Sequence, residues 1–282
     1  MPEGDTIYRA ARAMARVLEG KVITHFETGL AKLASIHDDK PLTGRTIERI
    51  EPRGKWLLLH LSGDLILVTH MLMSGSWHLY RTGEKWQRPR RQMRVAIAVA
   101  DWVAVGFDIP IAELHTAHSL ARHPTIPKLG VDILSTAFTP QAGASALTRY
   151  AQTHPDTEIA NALLNQRVLA GLGNVYKSEV TFAAGVNPFR PIATITPREL
   201  QHLADLAQRY LQANVADNAS AAIVTYTGSR RTTRSMNQGD RLWVYGRAGK
   251  ECRRCGATIL SRKKGPQARI TFWCPTCQPW TH

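Results

Sequence analysis

Cysteine is nearly absent from this sequence. Its 282 residues include four, all within the last 31. That placement excludes a disulfide framework for the bulk of the chain and points to a local metal site. Apolar runs of bilayer-spanning length are missing too, and the opening Met1-Pro2-Glu3-Gly4-Asp5 lacks a signal-peptide pattern. The expectation is a soluble, cytoplasmic protein with no membrane partner. Acidic residues are scarce: 22 Asp and Glu stand against 36 Lys and Arg, a formal charge of +14. Such an excess favours a polyanionic partner, nucleic acid being the commonest, although charge alone also keeps a protein in solution. Internal repeats and low-complexity tracts are absent, and the length suits two domains, each with its own core.

The positive charge falls in runs. Lys85, Arg88, Arg90, Arg91 and Arg94 are free of intervening acids. Arg230, Arg231, Arg234, Arg241 and Arg247 form a second group, and Arg253, Arg254, Arg262, Lys263, Lys264 and Arg269 a third. A charge run by itself reads as a solvated face.

Periodicity divides the chain. From Thr6 to Leu18, Ile7, Ala10, Ala11, Met14, Val17 and Leu18 recur at helical spacing until Gly20. Short apolar runs follow at Trp56–Leu61, Leu65–Thr69, Val95–Val99 and Val103–Phe107, broken at glycines and Asp101, which predicts an antiparallel sandwich or barrel. Residues 124–139 read as a linker. Helical signals then dominate, over Ile159–Leu164, over Val175–Ala184, and after Thr196-Pro197-Arg198-Glu199, a capping box with proline in the first helical position.

Two features carry chemistry. Cys252 and Cys255 form one C-x2-C knuckle and Cys274 and Cys277 another, eighteen residues apart. Four thiolates from two tight turns suit one tetrahedral zinc ion, whose role is structural because no coordination position stays open. At the other end, Pro2 is small enough for Met1 to be removed, which exposes a secondary amine. An α-amine titrates near ~8 against ~10.4 for lysine, so more of it is neutral at pH 7. Its attack on a sugar aldehyde carbon gives a permanently cationic iminium, an electron sink for elimination. Glu3 lies beside it as a proton donor. Taken alone, Pro2-Glu3-Gly4-Asp5 equally reads as a favourable helix start with acids at the positive end of the dipole.

Read together, MPEGDTIYRAA, RGKWLLLHL, THMLMSGSW, LLNQRVLAGLGNVYKSEV, VYGRAGKECRRCG and ITFWCPTCQ resemble the formamidopyrimidine-glycosylase/endonuclease VIII family of DNA repair enzymes. The segments occur in the family's order across nearly the whole chain. The resemblance implies an α+β multidomain fold. Residues 1–124 would be a catalytic β-sandwich domain with flanking helices, and 125–138 a linker. Residues 139–239 would be a helix–two-turn–helix DNA-binding domain, and 240–282 a zinc finger. It implies Pro2 as Schiff-base nucleophile and Glu3 as general acid. Lys55, otherwise an ordinary hairpin lysine, would bind phosphate and assist β-elimination, and Arg269 would clamp a phosphate and support δ-elimination. Asn174 would grip the lesion's phosphates, as well as or instead of capping a helix, and Lys128 would meet the DNA backbone. Leu72 and Met73 would fill the gap left by a flipped base, where a Met-rich core strand is the plainer reading.

The implied activity is a bifunctional glycosylase and AP lyase acting as a monomer on damaged double-stranded DNA, with one structural zinc. Phe107-Asp108-Ile109-Pro110-Ile111-Ala112-Glu113 lacks the Arg-Phe pair of the oxidised-purine branch, and Glu113 to Gly130 is spaced as in the endonuclease VIII branch, whose substrates are mainly oxidised pyrimidines. The His70–Gly75 loop is closer to the purine branch, so an oxidised-purine glycosylase is the alternative. A non-catalytic zinc-ribbon DNA-binding module is the second, and a retained Met1 would favour it.

Overall fold

The computed structural model describes residues 2–216, 232–233, 241–264 and 269–280, so most of the basic segment 229–239 lies outside the described residues. The chain forms two compact units that divide after Lys128.

In the first unit, helix α1 (Gly4–Leu18) precedes β1 (His25–Thr28), α2 (Ala31–Asp39) and β2 (Ile47–Arg53). Strands β3 (Trp56–Leu61), β4 (Leu65–His70), β5 (Ser76–Arg81), β6 (Met93–Ala98), β7 (Trp102–Phe107) and β8 (Ile111–His115) and the short α3 (Ala117–Leu120) follow. Two four-stranded sheets result, ordered β1-β6-β7-β5 and β2-β3-β4-β8, with antiparallel neighbours throughout. Alternate residues of four strands enter one core: Leu57, Leu59 and Leu61 from β3, Leu65 and Leu67 from β4, Trp77 and Leu79 from β5, Val95 and Ile97 from β6. That is the period of a pleated strand with one face inward. The apolar stripe of α1 (Ile7, Ala10, Ala11, Met14, Leu18) joins the same core.

The outer face of β5 carries a polar chain. Ser76 Oγ meets His78 Nε2 at 3.0 Å, and His78 Nδ1 meets the Tyr80 hydroxyl at 3.2 Å, which in turn accepts from the Gln87 amide. Trp86 and Phe107 cover it, edge to face.

The second unit holds β9 (Val131–Asp132), α4 (Pro140–Thr153), α5 (Ile159–Leu164), β10 (Leu169–Ala170), α6 (Asn174–Ala183), α7 (Pro197–Ala216) and the hairpin β11 (Leu260–Lys264) and β12 (Arg269–Trp273). The stretch 129–138 is built into this unit. Val131 and Asp132 pair in parallel with Leu169 and Ala170, and Ile133 and Phe138 enter the helical core. The capping box forms as expected: Thr196 Oγ1 accepts the Glu199 amide at 3.2 Å, and the Glu199 carboxylate accepts the Thr196 amide at 2.8 Å.

Candidate active site

Pro2 and Glu3 are buried, and Glu3 occupies the N-cap position of α1 with its backbone extended and its carbonyl accepting from Thr6 and Ile7. The far end of α1 is fastened to the start of β2. The Gly20 amide donates to the Ile47 carbonyl, and Glu19 accepts the Ile50 amide at 2.6 Å. Helix and strand pack along one another and match in length, about 22 Å for fifteen helical residues and about 20 Å for seven extended ones. The helix start therefore lies toward the end of the sandwich where β2 turns into β3.

Lys55 is in that turn. Arg53 pairs with Trp56, so the connection is the two residues Gly54-Lys55, with Gly54 at φ 58°. A positive φ at the first of two central residues is the hairpin geometry that glycine makes inexpensive, and it holds Lys55, partly buried, on a rigid tip. His70, which pairs with Trp56 across the sheet, lies edge-on to its ring at 4.6 Å. Burial first, then the positive charge of Lys55, lowers its pKa to about 4.

The neutral His70 holds the next loop. Its Nδ1 accepts the Leu72 amide at 3.0 Å, and Leu72 adopts φ 46°. Met71 is buried in the core while Leu72 and Met73 are 45% and 51% exposed. The loop closes with the Gly75 amide donating to the Met71 carbonyl, and a Cβ on Gly75 would lie 2.7 Å from that oxygen. The gap-filling core methionine is thus Met71, and the following two apolar side chains are presented to solvent from a tight, anchored turn.

Acid should undo this arrangement. His70 and His78 both titrate at about 4, His78 because it is buried and near Arg88. An unfolded histidine titrates near ~6.5, so both take up protons on unfolding between those values. Stability from their neutral forms is full above pH 6.5 and is lost as pH falls toward 4, at about 1.4 kcal/mol per pH unit for each histidine. Thermal unfolding of the first unit measured from pH 7 to 4.5 should show this slope, and a flat profile over that range would contradict it.

Lys128 ends a single 3-10 turn, Ile126–Lys128, and is exposed. Nearby, Glu113, His115 and His123 bring ligand-type atoms within 4.8 Å of one another. His123 Nδ1 accepts the Thr125 and Ile126 amides, so its proton sits on Nε2, facing Glu113 Oε2 at 3.4 Å. A protonated nitrogen has no lone pair to give a metal. His115 Nε2 reaches the same oxygen at 3.1 Å, and the trio is a hydrogen-bonded strut between β8 and the turn that ends in Lys128.

In the second unit, Asn174 is the first residue of α6, and the N-cap is Gly173. The asparagine therefore does not cap its helix. Its side chain crosses to the hairpin, with Nδ2 donating to the Ile270 carbonyl at 3.0 Å. The loop before α6 is closed by Gln166, which accepts the Gly171 amide and donates to the Leu172 carbonyl. Arg269 opens β12, paired with Lys264 and partly buried.

Sequence reading passed over Glu179. Wholly buried on α6, it accepts the backbone amides of Trp243, Val244 and Tyr245 at 2.8–2.9 Å and the Thr232 hydroxyl. A mid-helix glutamate ordinarily reads as a solvated face.

The four cysteines converge. Cys252 and Cys277 sulfurs are 3.8 Å apart, Cys255 and Cys274 sulfurs 3.5 Å, and all four lie within 4.8 Å. Sulfurs about 2.3 Å from a central tetrahedral ion lie about 3.8 Å apart, so the donor set fits a zinc-sized cation. Burial and the neighbouring thiols push Cys274 and Cys277 upward, while the Ala257 backbone pulls Cys255 down to about 7; four thiolates at this spacing would repel one another, and a cation among them would offset that repulsion.

A β-sandwich preceded by a buried N-terminal proline-glutamate pair, together with a helical unit ending in a four-cysteine hairpin, defines a class of DNA repair fold. The family model of the formamidopyrimidine-DNA glycosylase N-terminal domain matches residues 1–108, and that of the H2TH domain matches 129–225; the chain belongs to this family. It is 36% identical to a probable endonuclease 8 2 of Streptomyces coelicolor, over 99% of this chain and 94% of that one. It is 34% identical to the DNA-(apurinic or apyrimidinic site) lyase Nei2 of Mycolicibacterium smegmatis, over 99% of both. Among solved structures, Lactococcus lactis Fpg bound to an oxidised pyrimidine-containing DNA superposes with a TM-score of 0.79 at 25% identity, covering 99% of this chain and all of that one. Among the described residues, no helix is long and apolar enough to cross a membrane.

Proposed function

We propose that the protein is a bifunctional DNA glycosylase and AP lyase of base excision repair, acting mainly on oxidised pyrimidines. The observation that carries this reading is the buried Pro2-Glu3 pair at the head of α1 in a chain of this family. Membership supplies the reaction class, and the relatives' names, endonuclease 8 and Nei2, favour the pyrimidine branch. The missing Arg-Phe pair at 107–113 agrees.

Once Met1 is removed, the Pro2 nitrogen attacks C1′ of the damaged nucleotide. Glu3 delivers a proton to the ribose ring oxygen as the C1′–O4′ bond opens, the base leaves C1′ with the proton released from the proline nitrogen, and the open sugar remains as an iminium on Pro2. Loss of the C2′ proton then expels the 3′ phosphate by β-elimination, and a second elimination expels the 5′ phosphate. The product is a one-nucleotide gap with phosphate on both ends. Lys55, on its hairpin tip, binds phosphate and assists the first elimination, and Arg269 supports the second. Leu72 and Met73 occupy the space vacated by the flipped base, which offsets part of the unstacking cost. Asn174 and Lys128 hold backbone phosphates. Cys252, Cys255, Cys274 and Cys277 bind one zinc ion, which braces the hairpin, and four sulfur ligands leave it no open position for the reaction. Residues 1–124 carry the chemistry, and 139–239 and the finger 240–282 carry DNA. We place the enzyme in the cytoplasm, at the nucleoid, working as a monomer.

One feature favours an oxidised-purine glycosylase instead, the His70–Gly75 loop. Borohydride trapping on oligonucleotides carrying one oxidised pyrimidine or one 8-oxoguanine decides between them. A covalent adduct that forms faster with the pyrimidine is expected. An adduct with the purine alone would move the protein to the other branch, and none with either, after confirmed removal of Met1, would leave a DNA-binding module.

A further inference from the structure

Lys177, on the first turn of α6, is 1% exposed. Its ammonium donates to Asn174 Oδ1 at 2.7 Å, to Thr271 Oγ1 at 2.7 Å and to the Ile270 carbonyl at 3.3 Å. Taking an ammonium out of water is costly, and these contacts offset part of that cost. A methionine of similar length would fill the same space without the cost. From these contacts we infer that Lys177 is a positioning residue for lesion binding, fixing the phosphate-binding groups of the second unit. The inference rests on the reading of Asn174 and Arg269 as phosphate ligands.

Three consequences of the contacts support it. A side-chain amide can turn either edge toward a neighbour, and the cation admits only the oxygen edge of Asn174. The amide nitrogen must then face the other way. One of its hydrogens goes to the Ile270 carbonyl, and among the described residues none accepts the second, which suits an outside acceptor such as a phosphate oxygen. Next, Lys177 ties α6 to Ile270 and Thr271, which directly follow Arg269 at the start of β12. The bond from the Phe272 amide to Ser178 Oγ, one residue further along the helix, continues the same seam. Finally, the charge stands directly behind the asparagine, where it raises the positive potential felt by an anion bound there. One buried cation therefore sets the orientation of one ligand, the register of the strand that carries the other, and the field between them.

The test compares affinities of the full-length zinc-loaded protein for a duplex with a tetrahydrofuran abasic-site analogue and for the same duplex undamaged. Lys177→Met is expected to weaken binding to the abasic-site duplex by about tenfold or more and to the undamaged duplex by less than about threefold. The double variant with Asn174→Ala should bind the abasic-site duplex within about twofold of Asn174→Ala alone, because the two changes remove one interaction unit. Zinc content is measured on each variant. If Lys177→Met releases zinc, the comparison is made on Lys177→Gln, which keeps a neutral donor within reach of Asn174 Oδ1 and should lose less affinity. Equal losses on both duplexes, or additive losses in the double variant, would overturn the inference and reduce Lys177 to a support of the fold. Wild-type lesion affinity in Lys177→Met beside a weakened Asn174→Ala would overturn it while leaving the site reading intact. An Asn174→Ala variant that binds normally would remove that reading and this inference together.

Discussion

Pro2→Gly is expected to cut the rate of borohydride-trapped adduct formation by on the order of a thousandfold or more. Glycine at position 2 still permits removal of Met1, so the variant presents a free amine and the comparison is not confounded by a blocked terminus. What changes is the amine. A secondary amine condenses with C1′ to an iminium that stays cationic at any pH, whereas the imine of a primary amine must gain a proton before it withdraws electrons. Geometry changes as well. The pyrrolidine ring ties the nitrogen to the side chain of a residue buried at the head of α1, which holds its lone pair in one direction, whereas a glycine amine rotates freely about its N–Cα bond.

Glu3 provides an internal control. Its backbone carbonyl caps the helix by accepting from Thr6 and Ile7, a role that Glu3→Gln leaves in place. This variant should form adducts on a preformed abasic site, where no base has to leave, and lose most activity on an intact lesion. Adduct formation by Pro2→Gly at the wild-type rate would show that the reaction needs neither the secondary amine nor its fixed ring, and would end the present reading of the proline.

The parts of this mechanism that were legible in the sequence were those written in local pattern. The spacing of the cysteines implied four convergent sulfurs. Short apolar runs such as Trp56–Leu61 implied strands of an antiparallel sandwich or barrel, and Thr196-Glu199 implied a helix start that forms with both reciprocal bonds. Helix α2 was not legible because only Leu33 of its nine residues is buried and its N-cap, Leu30, makes no side-chain bond. Residues 129–138 read as a linker because what orders them is a two-residue parallel bridge to Leu169-Ala170, about forty positions away. Nothing in the local sequence marks Lys177 and Glu179 as buried, for the same reason. The groups that bury them, Ile270 and Thr271 for one and Trp243 to Tyr245 for the other, arrive more than sixty residues later. Long-range burial of a charge leaves no local mark, and both such charges on α6 are held by the C-terminal segment.

That dependence makes loss of the metal the second large effect expected. Chelation, or Cys274→Ser, should unfold the cysteine hairpin and weaken DNA binding by about a hundredfold or more. The hairpin's apolar cluster is small, with Phe182, Val244, Cys252, Ile259 and Cys274 buried in it, and two of the five belong to the cysteine set proposed to hold zinc. A segment this short does not bury enough apolar surface to fold alone, while structural zinc sites contribute about 10–16 kcal/mol of apparent binding energy. Removing the ion therefore withdraws the larger part of what orders β11 and β12. The damage then spreads along the α6 seam. Asn174 and Lys177 lose the Ile270 carbonyl, Lys177 loses the Thr271 hydroxyl, and Arg269 loses its strand. The first unit has its own core, so its thermal transition should be unchanged while protease sensitivity appears within 241–280. Zinc analysis, limited proteolysis and abasic-site duplex affinity on one chelated sample measure all three. A chelated protein that loses its zinc, keeps a protease-resistant hairpin and binds DNA with undiminished affinity would show that packing, and not the metal, holds β12 against α6.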